Sequence, residues 1–234
     1  MLRQLDSNLW VLDKPFHVLR ADIGVRMTVV RLKNGDLWVH SPVRTTPEER
    51  AALDQLGRVA HIVAPSLVHH LFAAELCSCY PEARLHVAPG LAQKNSALVR
   101  SEPLTERPPT AWGGEIEPIF LAGAPIVNET VFRVGRTLIV TDLVFNYPSA
   151  EGFATRLFLQ LDGALGGVRA TRIFRLTFKD KAAVRASILR ILGWDFDRII
   201  VTHGEVLATG GRQALHAAYE SLLELPALSP LSAA

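Results

Sequence analysis

Short β-branched runs and stretches of helical periodicity take turns along this chain, and their order predicts its architecture. Residues 8–12 and 27–32 are apolar and β-branched, and Asn34-Gly35 is a strong hairpin signal leading into a strand at 37–40. A well-marked helix start follows. Thr46 can cap it, Pro47 suits the first helical position and Glu49 completes a capping box. Ala51, Ala52, Leu53 and Leu56 give that helix an apolar face, and Gly57 stops it. The chain then enters a buried strand at 61–64, making a βαβ unit of the right-handed kind. Helical spacing predicts a second helix from His69 or His70 through Tyr80, with Pro81 just past its end. A short strand at 84–87 and a short helix from Pro89 come next, and 96–114 reads as loop.

The second half opens as a meander of strands at 115–121, 130–134 and 137–141, with Gly135-Arg136 as a tight turn. Residues 147–167 read as mostly helical, with Phe153, Leu157, Phe158 and Leu161 forming a core face. A helix at 181–192 and a return to the sheet over 194–201 follow. Gly210-Gly211 introduce a final helix through Leu225, leaving 226–234 as a frayed tail. A βαβ half and a hairpin-rich half argue for two packed sheets covered by helices, in one domain over 1–234.

Candidate chemistry gathers at three strand ends. The run 61–64 breaks at Pro65, which cannot donate to a sheet ladder, and delivers His69-His70 soon after. The strand at 137–141 runs into Asp142, and that at 198–202 runs into His203-Gly204. Open α/β folds keep their sites just past such strand ends. Each group alone has an ordinary reading: a helix start, a turn carboxylate, a turn histidine. Jointly they offer the N and O donors a divalent cation needs. Of the other histidines, His61 and His86 fall in or beside buried strands and read as structural. His17 and His216 sit in a loop and on the last helix. His40 ends a strand at the presumed site edge.

At 234 residues, 49% hydrophobic and 21% charged, the chain has the composition of a globular protein with a substantial core. A net charge of +2 and the lack of aromatics on a basic surface argue against a nucleic-acid partner. No apolar run is long enough to span a bilayer, and the start carries no signal-peptide pattern, so neither a membrane nor export is expected. Cys77 and Cys79 are spaced to point apart on a helix, which fits a reducing cytoplasm. Seven bases between Arg169 and Arg190 crowd a region with few acids. They read as a solvated helix face, and if they border the site they favour an anionic substrate. The 147–167 segment leaves two other roles open, a lid or a homodimer contact.

The stretches LWVHSPV at 37–43, HIVAPSLVHHLFAAEL at 61–76, YPEARLHVAPGL at 80–91, NETVFRVGRTLIVTDLVFN at 128–146 and WDFDRIIVTHGE at 194–205 cover most of the chain. Together they resemble the metallo-β-lactamase superfamily, and more closely a branch of it that is a domain of unknown function. The resemblance implies an α/β fold, the four-layer αββα sandwich, with a metal site at one edge of the two sheets. It carries Asp142 to the superfamily's metal-bridging aspartate and His203 to its last histidine ligand. His69 and His70 fall where the Asp-His of the His-x-His-x-Asp-His motif would be. The first two histidines of that motif fall at Pro65 and Leu67, which cannot bind metal, and the superfamily's intervening histidine has no match, since His86 is too early. The expected shell is therefore mononuclear, drawn from His69, His70, Asp142 and His203, with His70, Asp142 and His203 holding the ion and His69 nearby.

Two functions follow. In one, a single divalent ion, zinc before iron or manganese, activates water against a small ester, lactone or thioester, with Asp142 or Glu75 as base. In the other, the shell has decayed and the sandwich serves as a binding or interaction module. Neither a phosphate-binding glycine loop nor a Gly-x-Ser-x-Gly elbow is present, so nucleotide and serine-hydrolase chemistry has no support.

Overall fold

A computed structural model of the chain describes residues 1–98 and 100–224; the expected tail at 226–234 and the helix end at Leu225 lie outside them. The N-terminal half contains β1 (Arg3–Asp6), β2 (Leu9–Lys14), β3 (His17–Val18), β4 (Ala21–Asp22), β5 (Val25–Arg31), β6 (Asp36–His40) and β7 (Arg58–Ala64). It continues through β8 (Arg84–Val87) and β9 (Glu102–Pro103), with helices α1 (Pro47–Leu56), α2 (Ala73–Cys79) and α3 (Leu91–Lys94) between strands. The second half contributes β10 (Ile116–Phe120), β11 (Thr130–Val134), β12 (Thr137–Ile139), β13 (Phe145–Tyr147), β14 (Gly167–Arg169) and β15 (Arg198–Ile200). Its helices are α4 (Phe153–Asp162), α5 (Arg172–Leu176), α6 (Lys181–Leu192) and α7 (Gly211–Leu223).

One sheet runs β1-β2-β5-β6-β7-β8-β9 and the other β10-β11-β12-β15, with β3-β4 and β13-β14 as small separate ribbons. Side-chain alternation shows why two sheets must stack with helices outside. Along β2, Leu9 and Val11 face the other sheet while Trp10 and Leu12 face the helices. In the second sheet Phe132, Ile139 and Ile200 point inward, and Val131, Leu138 and Ile199 point to α6 and α7. These strands are apolar on both faces because both faces are covered. Leu53 of α1 and Leu76 of α2 close the outer face of the first sheet. Val184, Ile188, Leu215 and Tyr219 close that of the second. The result is the αββα sandwich.

The capping box at the start of α1 is present in both directions: Glu49 N–H donates to Thr46 Oγ1 at 3.3 Å, and Thr46 N–H to Glu49 Oε2 at 2.9 Å. Two helices differ from expectation. α2 begins at Ala73, because residues 66–70 are committed elsewhere: the Leu67 amide donates to Val127 O at 2.7 Å and the His69 amide to Ser66 Oγ at 3.0 Å. The 147–167 segment is strand up to Tyr147 and helical only over α4, and its expected core face is largely turned outward. Phe153 is 84% exposed and Leu161 65%, while Leu159 and Asp162 are buried. α4 docks by Leu159 onto the β3–β4 ribbon and β13, a platform formed by residues far away in sequence.

Between the sheets lies a group of buried aromatic and imidazole rings. His40 stacks on Trp38 at 5.5 Å, edge-on to Phe132, and among the described residues neither of its ring nitrogens has a partner. His61 Nδ1 lies 3.1 Å from His86 Nε2, as befits the structural role expected of that pair. Burial, with the charge of His69 adding to it, pushes His40 down to about 3. Burial, then His61 and Arg84, pushes His86 down to about 4. Both folded values lie below that of the unfolded chain, so unfolding takes up protons in acid. Their contribution is complete above pH 6.5 and is lost as pH falls from there toward 4 and 3. Each histidine removes about 1.4 kcal/mol per pH unit across its window. Urea midpoints are therefore expected to drop steeply between pH 6.5 and 4.5, and His86→Phe to flatten that slope.

Candidate metal centre

The second sheet sets two of the three groups by register. β12 and β15 pair in parallel with Ile139 opposite Ile200, so three residues further Asp142 stands opposite His203. The Val140 amide extends the ladder to Ile200 O at 3.0 Å. His69 arrives from the first sheet, on the loop after β7. That loop is stapled across the sandwich edge, since the Thr130 amide donates to Pro65 O at 2.8 Å and Leu67 bonds Val127 as above. One ligand-type atom each from His69, Asp142 and His203 lie within 4.8 Å of one another.

The rings are oriented as donors. His203 Nδ1 sits 2.7 Å from the carbonyl of Gly24, which can only accept, so Nδ1 carries the proton and Nε2 keeps its lone pair. That Nε2 faces His69 Nε2 at 3.3 Å and Asp142 Oδ1 at 3.9 Å. His69 Nδ1 is 3.3 Å from Ser41 Oγ, which fixes the other end of that ring. Asp142 Oδ2 is 3.3 Å from His69 Nε2 but off the line of a hydrogen bond, and buried. Burial, then the charge of His69, pushes His203 down to about 4, which keeps it neutral. Burial opposes ionisation of Asp142, but His69 and His203 outweigh it and hold the carboxyl below its usual range. Burial likewise opposes protonation of His69, and Asp142 outweighs it, so His69 is raised. Two imidazole nitrogens and a carboxylate therefore converge, all but one edge of them covered.

Supporting groups hold these donors. Glu129, fully buried, accepts from the amides of Thr141 at 2.5 Å and Asp142 at 3.1 Å. Burial, and then the neighbouring Asp142, pushes its carboxyl up to about 7. Arg26 threads between the layers, donating to Val201 O at 2.6 Å and Gly204 O at 2.7 Å and pairing with Asp13. It clamps both sides of His203. Arg26→Ala leaves two carbonyls without their partner, while Asp13 keeps Arg3 at 3.2 Å, and is expected to cost about 3 kcal/mol, read as a lowered urea midpoint. Neither residue was apparent from the sequence. The available signals were a lone base inside the strand VRMTVV and a lone acid opening TVFRV.

The sequence matches the family model for the domain of unknown function DUF4336 over residues 6–157. The chain belongs to that family. No curated protein matches it. Among solved structures it is similar to a metallo-β-lactamase from Pontibacter korlensis, with a TM-score of 0.64 and 13% identity over 97% of this chain and 99% of that one. The metallo-β-lactamase FIM-1 from Pseudomonas aeruginosa, in a mono-zinc form, gives a TM-score of 0.64 and 10% identity over 97% and 96%. One from Hirschia baltica gives 0.61 and 8% over 95% and 97%. At these identities the likeness is one of fold, and this DUF4336 chain is a metallo-β-lactamase-type sandwich.

Several expected site residues fall elsewhere. His69, not His70, joins Asp142 and His203; His70 lines the adjoining cavity, outside that group. The reason is the Ser66 hydroxyl, which fixes the loop one residue before the expected helix and so selects which ring turns inward. Glu75 is about half exposed and faces Arg44 at 3.5 Å on the surface, so it is no base for this site. His40 lies in the inter-sheet core. The bases of the 169–190 region do not line the cavity. Instead Arg172 donates to Leu161 O at the end of α4, Arg175 to Ala218 O and Arg185 to Leu223 O in the last turns of α7, and Arg190 chelates Glu106. Among the described residues no helix is long and apolar enough to cross a membrane.

Proposed function

We propose that this protein is a metal-dependent hydrolase with one divalent ion held by His69, Asp142 and His203. The observation that carries the reading is the carbonyl of Gly24, which fixes the His203 tautomer so that its Nε2 lone pair meets a second imidazole nitrogen and a carboxylate. The two nitrogens lie 3.3 Å apart, within reach of one shared proton, and the covered carboxylate oxygen beside them has no hydrogen-bond partner among the described residues; a cation would satisfy all three at once. The donor set suits zinc, with iron or manganese as the other candidates. One solved protein of this fold is described in a mono-zinc form, so single occupancy suits the architecture. Bound there, the ion supplies a water acidic enough to attack at neutral pH and a polarised carbonyl.

The residues of the chain do the rest. Ser41 and Gly24 orient the two rings, and Glu129 and Arg26 hold the strand ends that bear Asp142 and His203. Asp142 stays ionised, so a carboxylate oxygen can take the proton of the attacking water. The cavity that opens on these groups has room for a small molecule. Metal analysis of the purified protein, with turnover of an ester, lactone, thioester and phosphodiester panel, tests the reading. A stoichiometric ion and turnover of one acyl class are expected. Ion-free protein that turns over nothing would leave a binding module as the function.

A further inference from the structure

The cavity over His69, Asp142 and His203 has a volume of about 390 Å³, and its two ends differ in chemistry. At the metal-ligand end stand the imidazoles and the carboxylate. Elsewhere the walls are apolar, with Phe16, Ile23, Phe145, Phe158, Ile173 and Phe174 supplied by separate parts of the chain. Ser41 is turned to His69 Nδ1, and His70 beside it keeps a buried Nδ1 without a partner among the described residues. The other polar side chains in the lining are engaged. Asp162 accepts from the Ile173 amide at 2.8 Å, Thr171 from the Phe174 amide at 3.2 Å, and Thr177 Oγ1 donates to Phe174 O at 2.7 Å. All three are spent holding α5. Among the described residues no lysine or arginine lines the space. The rim is apolar too: Val68, Leu71, Ile126 and Ile173 line the cavity while remaining 45–61% exposed.

A ligand that fills such a space has a carbonyl at one end and nothing polar at the other, because an unpaired polar group there would lose its water without compensation. Along these apolar walls an anion would find no counter-charge. We infer that the cavity is an acyl-chain site, and that the substrate is an uncharged ester, lactone or thioester with an aliphatic acyl group of medium length. The inference rests on the hydrolase reading for the reaction, but the chain site stands on the cavity alone. In the reaction water's oxygen bonds to the acyl carbon and the carbon–oxygen or carbon–sulfur bond breaks. One water proton ends on the leaving alcohol or thiol, and the other is released as the acid ionises.

Two measurements on the full chain test this. Calorimetric binding of n-alcohols from butanol to decanol is expected to tighten about fourfold per methylene until the cavity fills, and kcat/KM for acyl esters of the same lengths to rise in parallel. Ile173→Asp, at the exposed start of α5, is expected to flatten both series, while Leu189→Asp on the far face of α6 leaves both slopes as they are. Alcohol binding with this chain-length dependence but no turnover of any ester would uphold the acyl-chain site and sink the hydrolase reading. Turnover without chain-length dependence, and no alcohol binding, would overturn the acyl-chain site and leave the hydrolase reading standing.

Discussion

Asp142→Ala, His203→Ala and His69→Ala are each expected to purify as folded protein that no longer retains a divalent ion, whereas His70→Ala retains it. Three protein donors converge on one point, each from a different segment past a strand end, and among the described residues no fourth ligand-type group joins them. Tight ion binding summed over a shell of four ligands amounts to about 10–16 kcal/mol in small zinc domains. Removing one of three donors should therefore weaken affinity on the order of a hundredfold or more. The readout need not be activity. An ion at a hundred times its dissociation constant stabilises the folded state by about 2.7 kcal/mol. For a chain of this size that corresponds to a melting temperature raised by roughly 5–10 °C. The parent and His70→Ala should show that rise on addition of zinc, and the other three variants should not. A rise that persists in Asp142→Ala, or that disappears in His70→Ala alone, would relocate the ion. The tautomer argument makes a finer distinction: His203→Gln, which places a neutral amide where the ring stood, should behave as His203→Ala.

Gly204→Ala is expected to be the most destabilising single methyl that can be added near this site. Gly204 has φ +94°, and a Cβ there would sit 2.0 Å from the backbone oxygen of Asn146. That approach is fixed on both sides: the Asn146 amide donates to His203 O at 3.2 Å and the Glu205 amide to Asn146 O at 2.7 Å. The methyl must therefore push β13 away from the loop that carries His203. Positive φ alone costs an L-residue about 1–3 kcal/mol, and overpacking against backbone adds a similar amount. Together they amount to about 4 kcal/mol, much of the 5–15 kcal/mol that holds a typical domain folded. Gly135→Ala supplies the comparison. Gly135 also has positive φ, +54°, in the β11–β12 turn, but nothing lies within 4 Å of its Cβ position. Its substitution should cost about 1 kcal/mol. Urea midpoints of the two variants decide the matter, and equal midpoints would show that the β13 contact yields easily. Because Gly204 adjoins His203, its variant should also lose the zinc-induced rise in melting temperature, a loss Gly135→Ala should not share.

Much of this was written locally in the amino-acid sequence, and the physical reason is range. The Thr46–Glu49 capping box, the Asn34-Gly35 hairpin and the Gly135-Arg136 turn each involve groups a few residues apart, so their chemistry forms the same structure in any context. The apolar runs ending at Asp142 and His203 likewise fixed two strand ends, and parallel pairing of those strands then left no freedom over which residues stand opposite. Other features depended on partners distant in the chain. Whether His69 or His70 turned inward depended on how Ser66 and Val127 pinned the loop between them. Which side of α4 faced the protein depended on the ribbon and strand it lands on, so the periodicity that marked Phe153, Leu157 and Leu161 located a helix and misplaced its buried face. The bases after Arg169 could equally have ringed a site or tied down helix ends, and only the position of the α4 and α7 carbonyls decided for the latter. Arg26 and Glu129 act on groups 175 and 12 residues away, and no local pattern foretells a partner at such separations. Sequence alone thus determined the main strands of the two sheets, several of their turns and the residue types that reach the sandwich edge. Tertiary structure decided which of those side chains meet, because convergence is a property of strand register and layer packing rather than of any single segment.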